Sequence, residues 1–207
     1  MTPAELQQDP VLLEVFLALY QDVNGMEVSV AERERLKTED SSYTYGEIQP
    51  LPFMEVLGIA YRPTDKVFYD LGAGAGKAVI AAALFFDWQK CYGIEFLPGL
   101  SACSQQVKNK LLTQSAVSAA KKASVEFVQG DFLQIDFSDA DVIYLHATTF
   151  SADLWQQLIV KLTTLKPGTR FITITKRLPE THFQLLHEQP LQMTWGEASA
   201  FIYNLHK

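Results

Sequence analysis

Three carboxylates follow short apolar runs: Asp70 after Val67-Phe68-Tyr69, Glu95 after Cys91-Tyr92-Gly93-Ile94, and Asp131 after the segment from Val125 to Gly130. Behind the first stands Gly72-Ala73-Gly74-Ala75-Gly76. Glycines at every second residue let the backbone approach a ligand that a Cβ would exclude. A dinucleotide site normally carries G-x-G-x-x-G, with the pyrophosphate over a helix N-terminus. Here the spacing is G-x-G-x-G, and Asp70 in front of it would repel a pyrophosphate but accept a hydrogen bond from an ammonium group. Glu95 comes 25 residues after Asp70, where a carboxylate can accept both hydroxyls of a ribose. Asp131 could accept from the amino group of adenine, with Phe132 against the ring. An amine, a ribose and an adenine together describe S-adenosylmethionine as the expected cofactor. A nicotinamide dinucleotide is the rival occupant.

The elements around these residues must place all three acids on one edge. Apolar residues at helical spacing give a helix over Asp9 to Val23, with Asn24-Gly25 as its stop, and a weaker one over Val28 to Lys37. Ser41 to Pro52 reads as a loop, before a helix at Phe53 to Ile59. From Lys66 onward, strands alternate with helices. Strands are expected at 67–69, 91–94, 125–128, 142–145 and 169–175, and helices at 77–86, 100–123 and 152–165. That alternation implies a parallel sheet covered on both faces. The tail differs: Phe183 to Trp195 and Ala200 to Leu205 are strand-like, separated by Gly196-Glu197, and should pair as an antiparallel hairpin. The expected fold is a doubly wound α/β domain with an antiparallel C-terminal edge.

In that order, the pieces resemble a class I, seven-strand S-adenosylmethionine-dependent methyltransferase from about Tyr45 to the C-terminus. Tyr45-Gly46-Glu47, Asp70 to Lys77, Tyr92 to Glu95 and Gly130 to Leu133 are similar to the non-SET disruptor-of-telomeric-silencing lysine methyltransferases. The resemblance implies a mostly parallel seven-strand sheet, N-methylation of a protein lysine, and a Tyr45–Glu47 loop closing over the methionine end of the cofactor. It also divides the chain into an N-terminal helical segment, 1–44, and a cofactor-binding domain, 45–207. Where the family typically shows Asn-Asn-Phe-x-Phe along a lysine channel, this chain has His146-Ala147-Thr148-Thr149-Phe150. Ile48 stands where a hydroxyl side chain is usual. Phe150 and Tyr203 are the expected channel walls, and His146 is a candidate to orient or deprotonate the nucleophile. Lys77 is expected at the surface.

Composition limits the remaining choices. Net charge is −7, and residues 1–60 alone carry 11 acidic groups against three basic ones. Such a surplus would steer a basic substrate. No cluster of Lys and Arg marks a duplex nucleic-acid surface, and no added basic segment points to chromatin. The longest apolar run, Ala78 to Phe86, is nine residues, too short for a membrane span. Without a signal-peptide pattern at Met1 to Glu5, the expectation is a cytoplasmic domain. Cys91, Cys103, His182, His187 and His206 lack metal-ligand spacing, so no metal is expected. Methylation of a small molecule or an RNA, and a non-catalytic cofactor-binding role, stay open as alternatives.

Overall fold

The structure is a computed structural model that describes residues 9–37, 42 and 44–206. Glu39, Asp40 and Ser41, which belong to the acidic segment and the expected loop, lie outside the described residues, as do residues 1–8.

Seven strands form one sheet in the order β3-β2-β1-β4-β5-β7-β6. They are β1 (Val67–Leu71), β2 (Lys90–Glu95), β3 (Val125–Gln129), β4 (Val142–Leu145), β5 (Arg170–Ile174), β6 (Phe183–Met193) and β7 (Gly196–Leu205). The first five in sequence run parallel, and β7 is antiparallel to both β5 and β6. Strand order reverses between β1 and β4, which opens a crevice at their carboxyl ends, where ligands of such sheets bind.

Seven described helices complete the fold: α1 (Pro10–Tyr20), α2 (Gly25–Leu36), α3 (Pro50–Ala60), α4 (Lys77–Phe85), α5 (Pro98–Leu112), α6 (Ala119–Ser124) and α7 (Ala152–Leu162). One core joins α1, α3, α4 and α5 to the sheet through Phe16, Leu19, Phe53, Leu57, Ile80 and Val107. The opposite core packs α7, by Trp155, Leu158 and Leu162, against Tyr69, Ile143, Phe171 and Tyr203. Since β1 is buried along its whole length, it reads as a continuous apolar run rather than an alternation.

Four expectations are corrected. Asn24-Gly25 starts a helix instead of stopping one: α1 ends at Tyr20, and the Asn24 side chain accepts from the Glu27 amide to cap α2. Pro50 and Pro52 lie inside the first turn of α3, where a missing N–H removes no helical bond. The long helix expected over 100–123 breaks at Thr113, and Ser118 caps a separate α6 by accepting from Lys121. The hairpin turn is Thr194-Trp195, not Gly196-Glu197, because Gly196 already pairs with Met193 as the first residue of β7.

A buried ion pair anchors the base of β5 to the chain after α3. Arg170 donates to Asp65 at 2.6 Å and to the Ala60 carbonyl at 2.9 Å, and Asp65 also accepts from the Arg62 amide. Removing one partner strands the other's charge in the interior. Asp65→Ala should therefore destabilise the fold by about 3–5 kcal/mol, read as a lowered urea midpoint at unchanged slope.

Candidate active site

Each strand tip of the crevice presents one of the carboxylates. Asp70 lies near the end of β1 and is only 3% exposed. Its Oδ1 has no hydrogen-bond partner among the described residues, and neither has the hydroxyl of Tyr144, on the neighbouring β4. Burial, and then the charge of Glu95, push the Asp70 carboxyl well above its ordinary range. A buried acceptor left unsatisfied is costly, so this group marks a place where a donor belongs.

Glu95 closes β2 and shapes the glycine loop. Its Oε2 accepts from the Gly74 amide at 2.7 Å and its Oε1 from the Leu97 amide at 2.8 Å. Each carboxylate oxygen can accept twice, so both retain capacity for a hydroxyl donor. Gly74 adopts a left-handed φ of 55°, and the Tyr45 ring occupies the space that a Cβ there would need. Gly76 is also left-handed and is covered by the Phe127 ring. Gly72 faces the Phe150 ring. After β3, Asp131 accepts from the Leu133 amide at 2.8 Å and turns the chain, and Phe132 stacks on Phe150 with centroids 5.7 Å apart.

These residues line one cleft of about 360 Å³, which includes Tyr45, Gly72, Glu95, Asp131, Phe132, His146 and Phe150. Asp70, Glu47 and Lys77 line a much smaller cavity beside it, which shares Tyr45, Gly46, Gly72 and His146. Of the expected site residues, Gly74 and Gly76 shape the loop through their neighbours, and Tyr203 is not brought to the site. Tyr203 is 1% exposed and packs within the second core beside Phe201. Its position in β7, paired with Phe171 and Leu185, directs it away from the strand tips.

The Tyr45-Gly46-Glu47 loop crosses the cleft and is held from three sides. The Tyr45 hydroxyl donates to Glu47 at 2.8 Å, and the other Glu47 oxygen pairs with Lys77. Thr149 donates to the Thr44 carbonyl, and the Ser151 amide to the Ser42 hydroxyl. From the hairpin tip, the Thr194 hydroxyl donates to the Glu47 carbonyl, and Ile48 bridges Met193. That bridge buries Ile48, which accounts for an apolar residue at this position. Lys77, expected at the surface, is instead partly buried against Glu47 and the Tyr20 ring. The sequence reading also missed Trp195, whose ring lies parallel to His146 with centroids 6.2 Å apart and planes 7° apart. In the sequence Trp195 reads as the last residue of the strand that begins at Phe183, so nothing there marks it.

The family described as "Histone methylation protein DOT1" matches residues 27–193. The chain belongs to this family. A histone-lysine N-methyltransferase, H3 lysine-79 specific, from Yarrowia lipolytica is 27% identical over 151 residues, 69% of this chain and 30% of that protein. A protein-lysine N-methyltransferase from Saccharolobus islandicus is 30% identical over 118 residues, 57% of this chain and 67% of that protein. The DOT1-family chain thus spans less than a third of the Yarrowia relative. Among solved structures, TrmN from Thermus thermophilus shares the fold with a TM-score of 0.61 at 18% identity, over 78% of this chain and 50% of that one.

His146 gives this DOT1-family site a measurable pH signature. Its Nδ1 lies 3.2 Å from the Gly46 carbonyl, which fixes that nitrogen as the donor and leaves Nε2 as an acceptor. Burial lowers its pKa from 6.5 to about 4, so the ring is neutral at pH 7. The unfolded chain takes up a proton below about pH 6.5 and the folded one does not. Stability should therefore fall as pH drops from 6.5 towards 4, by up to about 3 kcal/mol. The denaturation midpoint of the wild type relative to His146→Gln should fall as pH drops across that window, because the other groups that titrate there, Asp70 among them, are common to both.

Proposed function

We propose that this chain binds S-adenosylmethionine and transfers its methyl group to the side-chain amine of a protein lysine. The observation that carries the reading is the buried, unpartnered Oδ1 of Asp70 beside a glycine loop, with Glu95 and Asp131 on the next two strand tips. Asp70 accepts from the ligand's ammonium, Glu95 from the ribose hydroxyls, and Asp131 from the adenine amino group. Phe132 and the walls of the cleft cover the base. Tyr45 and Glu47 close over the amino-acid end. The names of the Yarrowia and Saccharolobus relatives support lysine as the acceptor. In this reading residues 45–207 carry the chemistry, and the helices before them support it from the face of α4 and α5.

When bound, the cofactor supplies a methyl group on a sulfonium, whose departure needs no protonation. What remains for the chain is to hold the acceptor in line and neutral. Phe150, stacked on Phe132, offers an apolar wall that penalises a charged ammonium. Nε2 of a neutral His146 can accept from the incoming amine and orient its lone pair.

Ligand binding should follow the protonation of Asp70. A neutral carboxyl cannot pair with an ammonium, so affinity for S-adenosylmethionine should decline as pH falls, beginning above the usual carboxylate range. Calorimetry should show Asp70→Asn binding about 10- to 100-fold more weakly, the loss of one charge-assisted hydrogen bond. The same variant without ligand should melt about 2 °C or more above wild type, because it no longer buries a carboxylate that lacks a donor. Undiminished affinity in Asp70→Asn would remove the basis of the reading. With methyl-labelled cofactor and a cell lysate, label should enter protein and be recovered as methyl-lysine after hydrolysis. Label in RNA or in small molecules alone would overturn the lysine assignment.

A further inference from the structure

We propose that Lys77 recognises the α-carboxylate of the cofactor's amino-acid end, which takes the place of Glu47 as its partner. The inference rests on the reading of the cleft as an S-adenosylmethionine site. Among the described residues, Lys77 is the only lysine or arginine that lines either cavity. Its Nζ stands over the Tyr20 ring, 5.3 Å from the centroid, and pairs with Glu47, so the ammonium is largely withdrawn from solvent. The Tyr20 hydroxyl is itself tied to the Ala75 carbonyl in the glycine loop.

Charge complementarity supports the assignment. Asp70, Glu47 and Lys77 give this end of the site a formal charge of −1. An ammonium, a sulfonium and a carboxylate give the ligand's end +1, equal and opposite to the protein's. Asp70 is the acceptor lacking a donor, and Lys77 is the cation able to meet the carboxylate. Lys77 is also the first residue of α4, and Gly76 before it has no side chain with which to cap that helix. The uncapped amide end adds to the attraction for an anion there.

Space explains why the partners must exchange. The small cavity holds only about 20 Å³, about one water molecule, while the Glu47–Lys77 pair is in place. An amino-acid group enters only if that pair separates. Glu47 keeps a second partner, the Tyr45 hydroxyl, so it is not left bare when Lys77 turns to the ligand.

Calorimetry with S-adenosylmethionine and with its decarboxylated analogue isolates the contact, because the analogue keeps the amine, sulfonium, ribose and adenine. The wild type should prefer S-adenosylmethionine by about tenfold or more, as expected for a charge-assisted hydrogen bond. Lys77→Met should lose that preference, falling in affinity for S-adenosylmethionine while binding the analogue at least as tightly as before, since no pair with Glu47 then has to separate. Lys77→Arg should retain it. If Lys77→Met unfolds, Lys77→Gln serves in its place, with thermal melting as the check. A preference that survives in Lys77→Met, or an equal loss for both ligands, overturns the inference while leaving the cofactor reading intact. A wild-type protein that binds neither ligand overturns the cofactor reading, and this inference with it.

Discussion

A buried aspartate whose Oδ1 meets no donor among the described residues is the constraint around which this molecule is arranged. Asp70 sits near the tip of β1, flanked by β2 and β4 and followed directly by the glycine loop. Such a group costs free energy in the empty protein, and the cost persists only because the surrounding fold is strong enough to impose it. The strength is visible nearby. β1 is buried throughout, α4 presents an almost wholly apolar surface, and Glu95 fastens the loop to the second strand with two backbone donors. The sheet thus supplies rigidity, and the loops supply the chemistry.

Gly46 is where the separate loops meet. Its carbonyl accepts from His146, and a Cβ on it would strike both His146 and Trp195. The residues on either side are anchored differently: Tyr45 fills the spaces left by Gly25 and Gly74, while Glu47 binds Lys77 and the hairpin. A single segment therefore connects the start of α2, the glycine loop, the tip of β4 and the C-terminal hairpin. The small cavity beside Asp70 and the surroundings of His146 thus share this segment as a common wall.

Much of this was legible in the sequence, for identifiable reasons. Strands and the helices between them announced themselves because burial on both faces demands unbroken apolar runs, as in Val142 to Leu145. The acids at the tips were found because each interrupts such a run where a turn begins. What escaped was non-local. Nothing near Lys77 shows that Glu47, thirty residues earlier, will hold it. Tyr203 looked like a wall because it resembles an aromatic near the family's C-terminus, but it packs in the second core, paired with Phe171. The break after α5 was missed because Thr113 to Ser118 contains no proline or glycine, so only the Ser118 cap reveals it. Asn24 was misassigned because the same residue type serves to end one helix or to begin the next.

The hairpin tip carries an evolutionary implication. Thr194 and Trp195 belong to a turn at the far end of the chain, yet they brace the loop over the cleft and the imidazole within it. Lengthening or reshaping that turn would alter the acceptor's surroundings while sparing the acids at the strand tips. If the cleft works as proposed, diversification has an inexpensive route: new acceptors can be explored at the periphery while the nucleoside grip stays untouched.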